Sequence, residues 1–298
     1  VKNPSALFLG LTAALCWGVS DFAARFASRR VGAYRALLFM QLIGFSALTV
    51  FRIFTGGFSR DSALGWHPWA FALAAGVLNA IGSLALYYSF EIGVLTIVAP
   101  ISSSYPAITV ALAFLSGERV RGLNAAGLAT AIMGVMLAAT SFGSAGITRV
   151  SPPATASRAH LSTGVGWSLL SMITFGIMFW FLGFQVLPVL GAAASVWVIR
   201  LSTSSMLLAA AAPARQQVRL PRGGVWWLLV VMGLMDTTAY VANNAGLRAG
   251  PVSVITVVAS LYGAVTVVLS SIFLRERLER TQWLGIALIF AGIILVNL

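Results

Sequence analysis

The sequence predicts an all-α polytopic membrane protein, with ten transmembrane helices arranged as two inverted five-helix repeats. Three observations carry that prediction. Hydrophobic residues make up 59% of the 298 positions and charged residues 9%, with a mean hydropathy of +0.93. A soluble domain needs about a quarter charged residues to cover its surface, so lipid is the solvent here. Ten apolar runs approach the roughly 20 residues that a spanning helix needs, and the two halves of the chain align with each other. The alternating polarity of an outer-membrane barrel is absent.

The runs cover 5–27, 36–55, 68–90, 92–115, 123–142, 164–187, 189–212, 225–247, 251–274 and 282–298. The first carries Trp17, Asp21 and Arg25, too polar a set for a cleavable signal core, and reads as a first spanning helix. Its Cys16 follows Ala13-Ala14-Leu15, without the small residue that a lipoprotein cleavage site places just before Cys; as the single cysteine it forms no intrachain disulfide. The fourth run holds Pro100 and Pro106 and is expected to kink; the ninth has Gly263 where the fourth has Pro106, so the two need not bend alike. Gly127 and Gly134 in the fifth run, like Gly285 and Gly292 in the tenth, stand two turns apart and mark one face where backbones approach closely. Between the fifth and sixth runs lies the polar stretch GSAGITRVSPPATASRAHLST. It reads as a linker over 143–163, which separates a first repeat over 1–142 from a second over 164–298.

With an offset of 157, positions 93–112 share seven identities with 250–269, among them Gly93/Gly250, Ser103/Ser260, Tyr105/Tyr262 and Thr109/Thr266. After a one-residue gap, 118–137 matches 276–295 at six positions, including Glu118/Glu276 and Arg119/Arg277. Five helices per unit is an odd number, so the second unit enters the membrane from the opposite side. Inverted repeats of this kind place a substrate site near the midplane between the units.

The net charge of +12 comes almost wholly from Arg. These residues sit at helix ends and short loops, where they meet anionic headgroups; membrane lipid, not nucleic acid, is the expected partner. The positive-inside rule is divided against itself. With the N-terminus inside, the cytoplasmic ends carry Lys2, Arg52, Arg60, Arg119, Arg121 and Arg248, six charges against twelve on the other side. Arg119 and Arg277 are repeat equivalents on opposite sides, so one ancestral charge cannot orient both.

Rise per residue gives depth. Trp17 and Phe175 fall near the middle of the first and sixth helices, Asn79 and Asp236 of the third and eighth, and Tyr105 and Tyr262 of the fourth and ninth. Arg200 falls mid-helix in the seventh, with Gln41 as its shifted equivalent in the second. Packing alone can account for the aromatic residues, and interhelical hydrogen bonds for the tyrosine hydroxyls and Asn79. Asp236 and Arg200 are more costly, at about 2.5–3.5 kcal/mol each at a helix centre. A structural ion pair and a substrate-facing role both stay open for them. Asp21 lies one turn past Trp17 and either lines the same space or pairs with Arg25. The expected substrate-binding set is Trp17, Asn79, Tyr105, Phe175, Tyr262, Gln41, Ser103 and Ser260; Asp236, Arg200 and Asp21 are the expected coupling or ion-pair groups. Glu91 and Arg248 read as interfacial, and the Glu118-Arg119 and Glu276-Arg277 pairs as helix caps or local pairs. His67 and His160, read as lying in loops far apart, make no metal site. No Walker loop, paired acids or nucleophile with its base can be found, so neither an enzyme nor a cofactor is expected.

The Trp17-Gly18 pair, Pro100 and Pro106, the Gly117-Glu118-Arg119 end and its echo Arg275-Glu276-Arg277, with the following Gly127 and Gly285, give the chain a clear likeness. Over 5–298 it resembles an EamA-type exporter of the drug/metabolite transporter superfamily, and within it the YddG-like amino-acid exporters. The resemblance implies ten helices, cytoplasmic termini in a bacterial inner membrane, and efflux of amino acids, aromatic and neutral ones included, by alternating access. Export of drugs or nucleoside-type metabolites and a lipid-handling membrane enzyme are the alternatives.

Overall fold

The computed structural model describes residues 4–58, 65–93, 95–119, 122–139, 158–216, 218–274 and 280–297. The described chain is helical. The first repeat contains α1 (Pro4–Val31), α2 (Ala33–Phe54), α3 (Trp66–Ile92), α4 (Leu95–Ser103), α5 (Pro106–Leu115) and α6 (Leu123–Ala139). The second contains α7 (Arg158–Phe181), a π-helical turn (Leu182–Val186), α8 (Leu187–Leu190), α9 (Ala192–Ala211), α10 (Val225–Ala249), α11 (Val252–Ala259), α12 (Tyr262–Leu274) and α13 (Arg280–Asn297). Eight helical stretches are long and apolar enough to cross a membrane. With α6 and α13 they make ten spans, in which α4 with α5 forms the fourth and α11 with α12 the ninth.

The packing has the pairing that an exchange of the two repeats requires. α1 lies along α10, and its counterpart α7 lies along α3; α2 meets α10 as α9 meets α3; α1 meets α11 and α12 as α7 meets α4 and α5. The self-matched pairs, α2 with α9 and α6 with α13, also touch. Because each repeat has five spans, the axis relating them lies in the membrane plane. The turns agree as well. Gly32 links the first two spans at φ 86°, and Gly191 links the sixth and seventh at φ 78°. That left-handed conformation costs glycine little and other residues much.

Small residues set the close approaches. A Cβ on Gly176 would stand 2.6 Å from Cβ of Ile108, and its equivalent Gly18 abuts Val265, the equivalent of Ile108. Thr109 Oγ1 donates to the Gly176 carbonyl at 2.8 Å, and Thr266 Oγ1 donates to the Gly18 carbonyl at 3.3 Å. Gly292 of α13 faces the backbone of Gly127 and Ala131 in α6, which is the glycine face expected for that pair of spans.

Several expectations are corrected. Both the fourth and ninth spans break, within one residue of equivalent positions, although only the fourth has Pro106. Around Tyr105 and Leu261 the backbone switches to i→i−3 bonds, Tyr105 to Ser102 and Leu261 to Val258. Ser103 lies against Gly263, so the two breaks pack on each other where only a glycine leaves room. The sixth span opens at Gly164 as expected, but its helix begins earlier, at Arg158, inside the stretch read as linker. His67 and His160 are not in loops but in the first turns of α3 and α7; Pro68 suits such a turn, where its missing N–H goes unneeded. Glu118 is a helix cap, but not for its own helix. It reaches the other repeat, accepting from the Val252 and Ser253 amides at 3.1 Å each and from the Ser253 hydroxyl, and so caps the N-terminus of α11. Glu91 does the same for α2, accepting from Ala33 N–H at 2.6 Å. Glu276 and Arg277, the 143–157 part of the linker, and Lys2, Arg60, Arg121, Arg149 and Arg275 lie outside the described residues.

Candidate functional site

A cavity opens between the repeats where α1, α3, α7 and α10 meet the two broken spans. The first repeat supplies Trp17, Asp21, Met40, Ser83, Leu86, Tyr87 and Tyr105, and the second Phe175, Phe179, Asp236, Tyr240 and Tyr262. The space totals about 410 Å³ including its mouth, but the part in which the centre of a water molecule fits is about 30 Å³. That is room for roughly two waters, so an organic substrate enters only if the walls part.

Aromatic rings fill the narrowing. Trp17 stands edge-on to Tyr240 at 5.1 Å and to Tyr262 at 5.9 Å, and tilted to Phe179 at 5.6 Å. Tyr105 meets Phe179 at 5.0 Å and stacks with Tyr262 at 6.3 Å; Phe175 meets Phe179 at 6.2 Å. Each such pair contributes about 0.5–1.5 kcal/mol beyond burial. The pairs hold the wall together, yet none is strong enough alone to forbid separation.

Beneath the rings lies a polar network. The Arg200 guanidinium forms an ion pair with Asp236, donates to Gln41 Oε1 at 2.6 Å, touches Met40 Sδ at 3.3 Å, and has its central carbon 5.3 Å from the Tyr240 ring. Arg200 is 1% exposed and stands behind the wall, whereas Asp236 lines the cavity. Gly44 of α2 makes the passage. A Cβ there would lie 3.3 Å from Arg200 Nε and inside Thr237 Oγ1, and its repeat equivalent is Thr203.

Of the residues expected to bind substrate, Trp17, Tyr105, Phe175 and Tyr262 line the cavity. Asn79, Gln41, Ser103 and Ser260 lie behind it. Asn79 is fully buried; its amide donates to Thr203 Oγ1 at 3.0 Å and its oxygen accepts from the Tyr240 hydroxyl at 2.6 Å. With its polar atoms so used, it fixes the Tyr240 ring in the wall. Ser103 and Ser260 turn back to carbonyls three residues earlier, Pro100 at 3.0 Å and Val257 at 2.8 Å, next to the two breaks. Asp21 lines the cavity, as one of the two readings for it expects. It is 5% exposed, its Oδ2 has no hydrogen-bond partner, and among the described residues no basic side chain forms an ion pair with it.

Sequence reasoning missed Phe179, Tyr240, Ser83 and Tyr87. Helical spacing carries the signal. Phe179 follows Phe175 by four residues, Tyr240 follows Asp236 by four, and Ser83 and Tyr87 follow Asn79 by four and eight. A search for one residue per helix at mid-depth overlooks the rest of the face.

Comparisons with known proteins agree with this architecture. The model of the EamA-like transporter family matches the chain twice, over residues 4–140 and 162–298. The uncharacterized protein MJ1333.1 of Methanocaldococcus jannaschii is 30% identical over 139 residues, which is 46% of this chain and 98% of that one. That relative therefore has about the length of one repeat. A solved crystal structure of a protein superposes with a TM-score of 0.74, covering 99% of this chain and 96% of that chain at 17% identity, a likeness of fold.

Proposed function

This chain belongs to the EamA-like transporter family, a multi-pass membrane transporter of two repeats and not an enzyme, and from that premise we propose that it exports amino acids and related metabolites. The observation that carries this reading is the cavity between the repeats, walled by Trp17, Tyr105, Phe179, Tyr240 and Tyr262 and furnished with carboxylates at Asp21 and Asp236. Rings accept a variable side chain, and a polar group fixes the constant part of the ligand. Its tightness suits an occluded stage of alternating access, in which the two broken spans part on one side and then on the other. Trp17, Tyr105, Phe175 and Tyr262 touch the substrate in this reading, while Asn79 and Gln41 hold wall residues in place. The YddG-like exporters are the proposed subfamily, with both termini cytoplasmic in a bacterial inner membrane.

Counterflow of a panel of labelled amino acids in proteoliposomes, with and without a proton gradient, tests the proposal. Uptake above that of protein-free vesicles supports it, and Trp17→Ala and Asn79→Ala should then reduce transport without loss of expression. Counterflow of nucleosides or drugs but of no amino acid moves the protein to the alternative substrates. Lipid turnover without any counterflow defeats the transport reading.

A further inference from the structure

The charge balance of the cavity wall identifies the part of the substrate that it holds; this step rests on the transport reading above. Two carboxylates line the space, and their situations differ. Asp236 is neutralised by Arg200, whose other terminal nitrogen turns to Gln41 behind the wall and touches Met40, while its Nε has no partner. Asp21 is almost fully buried, borders the cavity and has an oxygen without a partner. Among the described residues no Arg, Lys or His lines it. A buried carboxylate is costly unless a cation or hydrogen-bond donors satisfy it. The rings beside it, Trp17, Tyr240 and Tyr262, attract cations over their faces.

We propose that this cavity recognises a protonated amine, held by Asp21 and enclosed by Trp17, Tyr240 and Tyr262, and that it disfavours a substrate carboxylate. An ammonium donates a charge-assisted hydrogen bond to Asp21 and gains contact with the ring faces. A carboxylate meets no cation among the described lining residues and faces Asp21 itself, so it keeps its hydration only at the mouth. A zwitterion therefore binds amine-first, and a ligand with the amine alone binds more tightly.

The test is titration calorimetry on the purified full-length protein with three matched probes. L-phenylalaninamide carries only the ammonium, L-phenylalanine both charges, and N-acetyl-L-phenylalanine only the carboxylate. The amide should bind about tenfold or more tightly than the amino acid, and the N-acetyl form should not bind detectably. Asp21→Asn should weaken amide binding about thirtyfold or more. Its thermal midpoint should stay level or rise, because an unpaired buried charge is removed; this separates lost recognition from lost folding. The N-acetyl form binding as well as the amide, or Asp21→Asn keeping full affinity for the amide, overturns the proposal. If amino acids undergo counterflow but the amide shows no preference, amine recognition falls and transport stands. If the amide binds through Asp21 while no amino acid is transported, amine recognition stands and amino-acid export falls.

Discussion

The two repeats are alike at their closest helix crossings and less alike around the cavity. Gly18 against Val265 is repeated as Gly176 against Ile108, and Gly76 against Ser202 as Gly233 against Ile43. The threonine bonds to the Gly18 and Gly176 carbonyls are repeated too. In and behind the cavity wall several equivalents diverge, Asp21 standing for Phe179, Ser83 for Tyr240, Asn79 for Asp236 and Gln41 for Arg200, while Tyr105 and Tyr262 keep their identity. Packing tolerates only small residues at a close crossing, so both copies kept them. A ligand is not two-fold symmetric, and nothing obliged its surroundings to be.

The largest expected effect comes from the divergent pair. Asp236→Asn leaves the Arg200 charge buried without its carboxylate and should cost about 3–5 kcal/mol in unfolding experiments in detergent. The Asp236→Asn/Arg200→Gln double variant should regain much of that loss. If Asp236→Asn is instead fully stable and exchanges substrate without the parent's pH dependence, Asp236 carries a proton rather than anchoring Arg200. Next come the shared crossings. Gly18→Ala and Gly176→Ala should each cost about 1–3 kcal/mol through overpacking, and the two values should be similar. A large loss at one and none at the other would show that the repeats pack less alike than their geometry says. The smallest effect concerns one wall position in its two forms. Tyr240→Phe removes the hydrogen bond to Asn79 and should cost about 1 kcal/mol. Ser83→Ala, whose hydroxyl stands 3.5 Å from the same Asn79 oxygen, should lie within about 0.5 kcal/mol of the parent. Equal losses at both would mean that Asn79 does not distinguish its partners.

The plan of ten spans was legible because lipid leaves only long apolar helices to read, and because Tyr105/Tyr262 and Glu118/Glu276 carry the repeat in plain identity. The aromatic wall was legible in part, at Trp17, Tyr105, Phe175 and Tyr262, where depth and equivalence coincide. Asn79 and Gln41 have the right depth but turn away from the cavity. Depth along a helix says nothing of azimuth, and a neighbour's Thr203, Tyr240 or Arg200 decides which way an amide points. The destination of Glu118 was hidden for a similar reason. Its position at a helix end suggests a nearby partner, whereas its acceptors' donors are 134 and 135 residues away in the chain. The break of the ninth span has no proline to announce it.

The place of Arg200 bears on how such a molecule could arise. The second and seventh spans are each other's counterparts and touch, so residues at their crossing lie near the axis that relates the repeats. There Arg200 donates to Gln41 at 2.6 Å. An assembly of two identical single-repeat chains would duplicate whatever stands at that crossing, setting guanidinium against guanidinium or amide against amide. A lone cation at the crossing requires that the two copies be written separately, in one gene or in two. Joining the repeats in one chain thus released this crossing from symmetry, and each half could afterwards mutate without imposing the same change on its twin.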